Sequence, residues 1–79
     1  MNEDEILQRV QMVVRDQLDE DDIVLTPETR ASAVDGWDSL AHVRIMVAIE
    51  EAFGVRFDTS EITTLENVGA LVALVRSKL

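Results

Sequence analysis

The sequence predicts an all-α fold: a four-helix bundle with three longer helices, one short third helix, and a long ordered loop between helices I and II. Three observations carry this expectation. Apolar residues recur at helical spacing in three stretches, capping residues stand before each, and nothing longer than Val55-Arg56-Phe57 reads as extended chain. With 79 residues the chain suits one domain, 1–79, around a single core.

Helix I is marked by Ile6, Leu7, Val10, Val13, Val14 and Leu18, with Asn2 as N-cap and Glu5 three residues on in a capping-box pattern, so it is expected over residues 3 to 17. Asp19-Glu20-Asp21-Asp22 sets four like charges side by side and disfavours its continuation. Between residues 19 and 38 the apolar anchors are Ile23, Leu25, Ala31, Ala33, Val34 and Trp37, while Thr26-Pro27 predicts a short helical turn with Pro at its first position. A loop of this length is either disordered or functional, and the anchors favour an ordered one.

Gly36 offers a hinge, Asp38 or Ser39 caps helix II, and Gly54 stops it after Leu40, Val43, Ile45, Met46, Val47, Ile49 and Phe53. If Val43, Met46, Ile49, Ala52 and Phe53 turn inward, Leu40 and Val47 lie toward the rim and Arg44, Glu50 and Glu51 on wetter surface. Asp58-Thr59-Ser60-Glu61 predicts a brief helix III near residues 60 to 63. Thr63 or Thr64 is then the expected cap of helix IV, which runs through Leu65, Val68, Leu71, Val72 and Val75 and ends with Arg76 and Lys78 at its negative pole.

Charge and composition narrow the function. Sixteen acids against seven bases give a formal charge of -9, which repels phosphate backbones, excludes nucleic acid as a partner and favours a basic one. Without cysteine there is no disulfide, no thiolate nucleophile and no Cys-based metal site. The N-terminus is acidic where a signal peptide would be basic, and the longest apolar stretch, residues 68 to 75, falls far short of the ~18 residues of a membrane span. A cytoplasmic, soluble monomer with no membrane span is expected. A chain this small buries only ~60% of its unfolded surface, which argues against a deep catalytic cleft.

Enzyme and metal readings fail on geometry. Asp38, Ser39 and His42 suggest a triad, but neighbouring positions at one exposed helix start enclose no substrate, and His42 is expected to be a surface residue. As a calcium loop, the run from Asp19 lacks Gly at its sixth position and ends on Arg30 where a bidentate Glu would fall. Ser39 has a different promise. It sits at a helix N-terminus, where free amides and partial positive charge receive a phosphate ester, although spacing alone favours the plainer reading in which Ser39, or Asp38 beside it, is only an N-cap.

Residues 36 to 53, Gly-Trp-Asp-Ser-Leu-Ala-His-Val-Arg-Ile-Met-Val-Ala-Ile-Glu-Glu-Ala-Phe, closely resemble the signature of acyl carrier proteins, whose central element is Asp-Ser-Leu at the start of helix II. Length, acidity, helix order, the long first loop, the Glu-Glu-x-Phe-Gly segment at 50 to 54 and the Thr63-Thr64-Leu65 segment fit the same family along the whole chain. The resemblance implies a non-enzymatic carrier. A phosphopantetheinyl transferase would attach phosphopantetheine from coenzyme A to Ser39, and the arm's thiol would hold an acyl group as a thioester. It further implies an acyl- or aminoacyl-loading ligase and downstream acyl-transfer enzymes with basic docking patches as partners. Asp38, Leu40, Val43, Val47, Glu50 and Glu51 fall on the family's partner-facing positions of helix II, and for Val43 a place in the core is the competing reading.

Some positions depart from the family's housekeeping pattern. Arg44 stands where an acid is usual and His42 takes another surface position, so the stripe is less negative. Gly-Trp-Asp-Ser-Leu is more typical of carriers in specialised pathways, with Trp37 expected as a loop anchor over the end of the bundle. The Asp-Ser-Leu form leans toward acyl cargo over the aminoacyl or peptidyl cargo of related carriers. An unmodified helical interaction domain, docking a partner through Leu40 and Val47, is the alternative from another class. A long acyl chain is expected to enter between helices II and III, because Ile62 is helix III's one clear apolar anchor.

Overall fold

The computed structural model describes residues 1–79 as four α-helices: α1 Glu3–Leu18, α2 Ser39–Phe53, α3 Thr59–Thr63 and α4 Val68–Lys78. One 3-10 turn, Ala31–Ala33, lies in the connection before α2. Helix α1 packs against both α2 and α4, and none of the helices is long and apolar enough to cross a membrane.

The first helix begins as its sequence dictates. Glu5 N–H donates to Asn2 Oδ1 at 2.9 Å and Asn2 N–H donates to Glu5 Oε1 at 3.1 Å, a reciprocal capping box. Asp19 closes the helix at φ 54°, in the left-handed region, directly ahead of the acidic run. Ile6, Val10 and Val14 form the fully buried stripe, and Leu7, Val13 and Leu18 flank it half-buried. Opposite them stand Ile45, Met46, Ile49 and Phe53 from α2 and Val68, Leu71, Val72 and Val75 from α4. No polar side chain is buried, so burial of apolar area is what holds the bundle.

The long connection is ordered by polar ties as much as by its anchors. Leu25 is buried, and its N–H donates to Gln11 Oε1 at 2.9 Å, while Arg15 Nε donates to the Ile23 carbonyl at 2.6 Å. The other side of the loop is held by α4. Val68 N–H donates to the Thr29 carbonyl and Gly69 N–H to the Pro27 carbonyl, each at 2.8 Å. Loop carbonyls thereby satisfy amides that the first turn of a helix leaves without partners.

Two expected boundaries move. Helix IV does not start at Thr63 or Thr64: α4 begins at Val68, where Asn67 Oδ1 accepts Ala70 N–H at 2.8 Å. The Thr63 and Thr64 hydroxyls instead donate back to carbonyls of residues 59 and 60 and finish α3, as hydroxyls near a helix end commonly do. At Thr26-Pro27 there is a single turn closed by Thr29 N–H on the Thr26 carbonyl, and the helical turn falls later, at Ala31–Ala33.

Helix α2 ends on Gly54 at φ 68°, whose N–H returns to the Glu50 carbonyl. The chain then extends through Val55 and Phe57, both buried on one side with Arg56 exposed between them. The short α3 follows and buries no residue fully.

Candidate functional site

The site is built at the first turn of α2. Asp38 is the N-cap: its Oδ1 accepts Ala41 N–H at 2.8 Å. Ser39 is therefore the first helical residue, with its hydroxyl outside the cap and exposed. Of the two readings left open by spacing, the plain cap belongs to Asp38. The approach to Ser39 is fixed by Gly36, whose φ of +87° suits a residue without Cβ, and by Trp37, which is 8% exposed and packs into the core. Trp37 is the loop anchor the sequence predicts.

His42 departs from its expected place on the surface. The ring is half-buried, stacks on Trp37 with centroids 6.1 Å apart, and accepts the indole N–H on Nδ1 at 3.1 Å. Its Nε2 lies 3.0 Å from the Ile62 carbonyl of α3. A pair at i and i+5 straddling a helix start gives no periodic signal, which is why sequence reasoning missed this contact. Beside it runs an open groove lined by Ser39, Val43, Ile62, Thr63 and Leu65.

The outward face of α2 is apolar in its centre. Leu40, Val43 and Val47 are 75%, 55% and 47% exposed, one stripe at helical spacing, with Arg44 and Glu51 exposed beside them. Val43 thus leaves the core position that competed for it, and Ala52 is likewise exposed; Ile45 and Ala41 take the inward places. A helix with apolar residues on two faces admits more than one orientation, and only packing against α1 selects one.

Glu50 has a structural task. It is half-buried, and its carboxylate accepts Phe57 N–H at 2.7 Å, fastening the extended segment to α2. Of the acids assigned to a partner-facing stripe, Asp38 is engaged as a cap and Glu50 with Phe57, while Glu51 is exposed and outside any ion pair.

Helix α3 is held at its other side by Glu61. This carboxylate accepts Asp58 N–H at 2.8 Å and pairs with Lys78 Nζ of α4 at 3.1 Å. The backbone hydrogen bond first, and then the ammonium, hold its carboxyl below the usual glutamate range.

Comparisons with known proteins show a family likeness along most of the chain. The family model described as a phosphopantetheine attachment site matches residues 8–75. An acyl carrier protein of Thermosynechococcus vestitus is 35% identical over 78 residues, covering 99% of this chain and 96% of the relative. The acyl carrier protein MbtL of Mycobacterium tuberculosis is 39% identical over 66 residues, covering 84% and 79%. Among solved structures, holo acyl carrier protein from Geobacter metallireducens superposes with a TM-score of 0.85 at 40% identity, covering 92% of this chain and 84% of that one.

Proposed function

Because the chain belongs to the acyl carrier protein family, as a non-enzymatic carrier of acyl groups and a partner of biosynthetic enzymes, we propose that Ser39 is its attachment point for phosphopantetheine. The observation that carries this reading is the freedom of the Ser39 hydroxyl: Asp38 provides the cap, so esterifying Ser39 leaves the helix start intact. The chain's residues fit the group. The N-terminal end of α2 faces the phosphate with its partial positive charge, and the groove along Val43, Ile62 and Leu65 offers an apolar bed to the arm. The arm supplies a thiol, a nucleophile the cysteine-free chain lacks.

The chain's own part is to tether and to be recognised. Tethering raises the concentration of the carried group at successive enzymes without any contact to it. Recognition falls to the α2 face, where Leu40, Val43 and Val47 give the apolar contact and Asp38 and Glu51 lend negative charge for steering toward basic docking patches. Glu50 adds to the field and, through Phe57, to the rigidity of that face. The partners supported by this reading are a phosphopantetheinyl transferase, a loading ligase and acyl-transfer enzymes, with a fatty or polyketide-type acyl cargo favoured over an aminoacyl one by the Asp-Ser-Leu form.

Incubation with coenzyme A and a broad-specificity phosphopantetheinyl transferase is expected to raise the intact mass by one arm in the native chain and by none in Ser39→Ala. A native chain of unchanged mass beside an active transferase would overturn the assignment and leave an interaction domain docking through the α2 stripe.

A further inference from the structure

The groove that starts at Ser39 ends on a polar latch. An indole nitrogen only donates, so the bond from Trp37 makes His42 Nδ1 the acceptor and assigns the ring proton to Nε2, which donates to the Ile62 carbonyl. One neutral imidazole therefore ties the long connection to the last turn of α3. Helix α3 depends on such ties, since it buries none of its own residues fully and its other polar tether is the Glu61–Lys78 pair.

The Trp37–His42 pair is also a partition. Trp37, His42, Ala31 and Leu65 border two spaces at once. Outside them lies the open groove of about 530 Å³ along Ser39, Val43 and Ile62. On their other side, against Val68 and Leu71 and open toward Glu66 and Asn67, only about 20 Å³ is free, room for a single water. A methylene chain moving inward would have to part the rings, and it offers the indole N–H, the imidazole and the Ile62 carbonyl no replacement hydrogen bond.

We propose that His42 is a specificity-determining residue for the carried group: latched to Trp37 and Ile62, it keeps cargo in the outer groove and fits this carrier to short acyl groups that need no shelter in the core. The inference rests on Ser39 as the attachment point. Long chains would ride on the surface, available to partners and exposed to water.

The test compares holo and octanoyl-loaded protein for the native chain, His42→Ala and Trp37→Phe, the last keeping an aromatic ring while removing the latch's donor. Mass confirms loading and methyl spectra report position. In the native chain, octanoyl loading is expected to shift Val43 and Ile62 and leave Val68 and Leu71 where they stand in the holo form. In the variants Val68 and Leu71 shift as well, and hydroxylamine cleaves the octanoyl thioester several-fold more slowly than in the native chain. Should His42→Ala not fold, Trp37→Phe decides. Equal shifts at Val68 and Leu71 in native and variant proteins, or none in any of them, overturn the inference alone; a native chain that takes no arm by mass overturns the Ser39 reading and this inference with it.

Discussion

Gly69→Ala tests whether the docking of the long loop on α4 is as tight as the geometry says. Gly69 lies in the first turn of α4, where alanine by propensity would stabilise the helix by at most about 1 kcal/mol. A Cβ there would stand 2.9 Å from the Pro27 carbonyl oxygen, 3.2 Å from Pro27 Cβ and 3.3 Å from Asn67 Oδ1. Two of these neighbours cannot swing aside. The Pro27 oxygen is backbone and already accepts Gly69 N–H at 2.8 Å, and Asn67 Oδ1 is the cap of α4. Overpacking of this kind destabilises by about 1–3 kcal/mol, and lengthening the 2.8 Å bond adds a share of the ~1 kcal/mol such a bond contributes. The balance is a net loss of about 1–2 kcal/mol. For a domain of this size that is a fall in Tm of about 4–8 °C per kcal/mol, read by thermal and urea unfolding followed by circular dichroism. The amides of Leu25, Thr26, Glu28 and Thr29 are also expected to exchange faster in the variant. A variant as stable as the native chain, or more so, would refute it, because helix propensity would then outweigh a contact that the structure makes too close to relieve.

Other perturbations separate the remaining forces. Ile49→Ala removes a fully buried side chain where α2 meets the core and is expected to destabilise by about 2–5 kcal/mol, leaving a chain of this length partly unfolded at 37 °C by calorimetry. Asp38→Ala loses the cap on Ala41 N–H, a change of about 1 kcal/mol in urea unfolding that Asp38→Asn should largely restore. Glu61, held below the ordinary glutamate range of about 4.3, binds its proton less readily in the folded chain than in the unfolded one. Its contribution is therefore complete above that range and lost as the pH falls through the lower native value; Glu61→Gln should flatten this part of the acid-unfolding curve, and an unaltered curve would contradict the assignment. Glu51→Lys is expected to slow association with a basic partner, more at low salt than at high, in stopped-flow measurements.

Three of the helix starts and stops are local matters, and that is why they were legible. Asn2 with Glu5, Asp38 ahead of α2 and Gly54 after it act within a few residues of themselves, so their chemistry does not wait for the rest of the chain. The start of α4 is not legible in the same way. Thr63 and Thr64 are as good capping residues by type as Asn67, and the choice falls to Asn67 because Val68 and Gly69 find the carbonyls of Thr29 and Pro27, which no local pattern announces.

What the sequence determined by itself is the helical class, the acidic character and the placing of the Asp38-Ser39 pair at a helix start, since periodicity, net charge and capping all reside in neighbouring side chains; which of the two caps is settled by Asp38 Oδ1 accepting Ala41 N–H. Tertiary structure decided which way α2 turns, and so left Leu40, Val43 and Val47 to solvent while Ile45 went to the core. It also turned Glu50 to Phe57 and His42 to Trp37 and Ile62. The reason is common to all three: each outcome depends on a group brought close by packing from a separate segment or turn, and a partner of that kind is fixed only when the core closes.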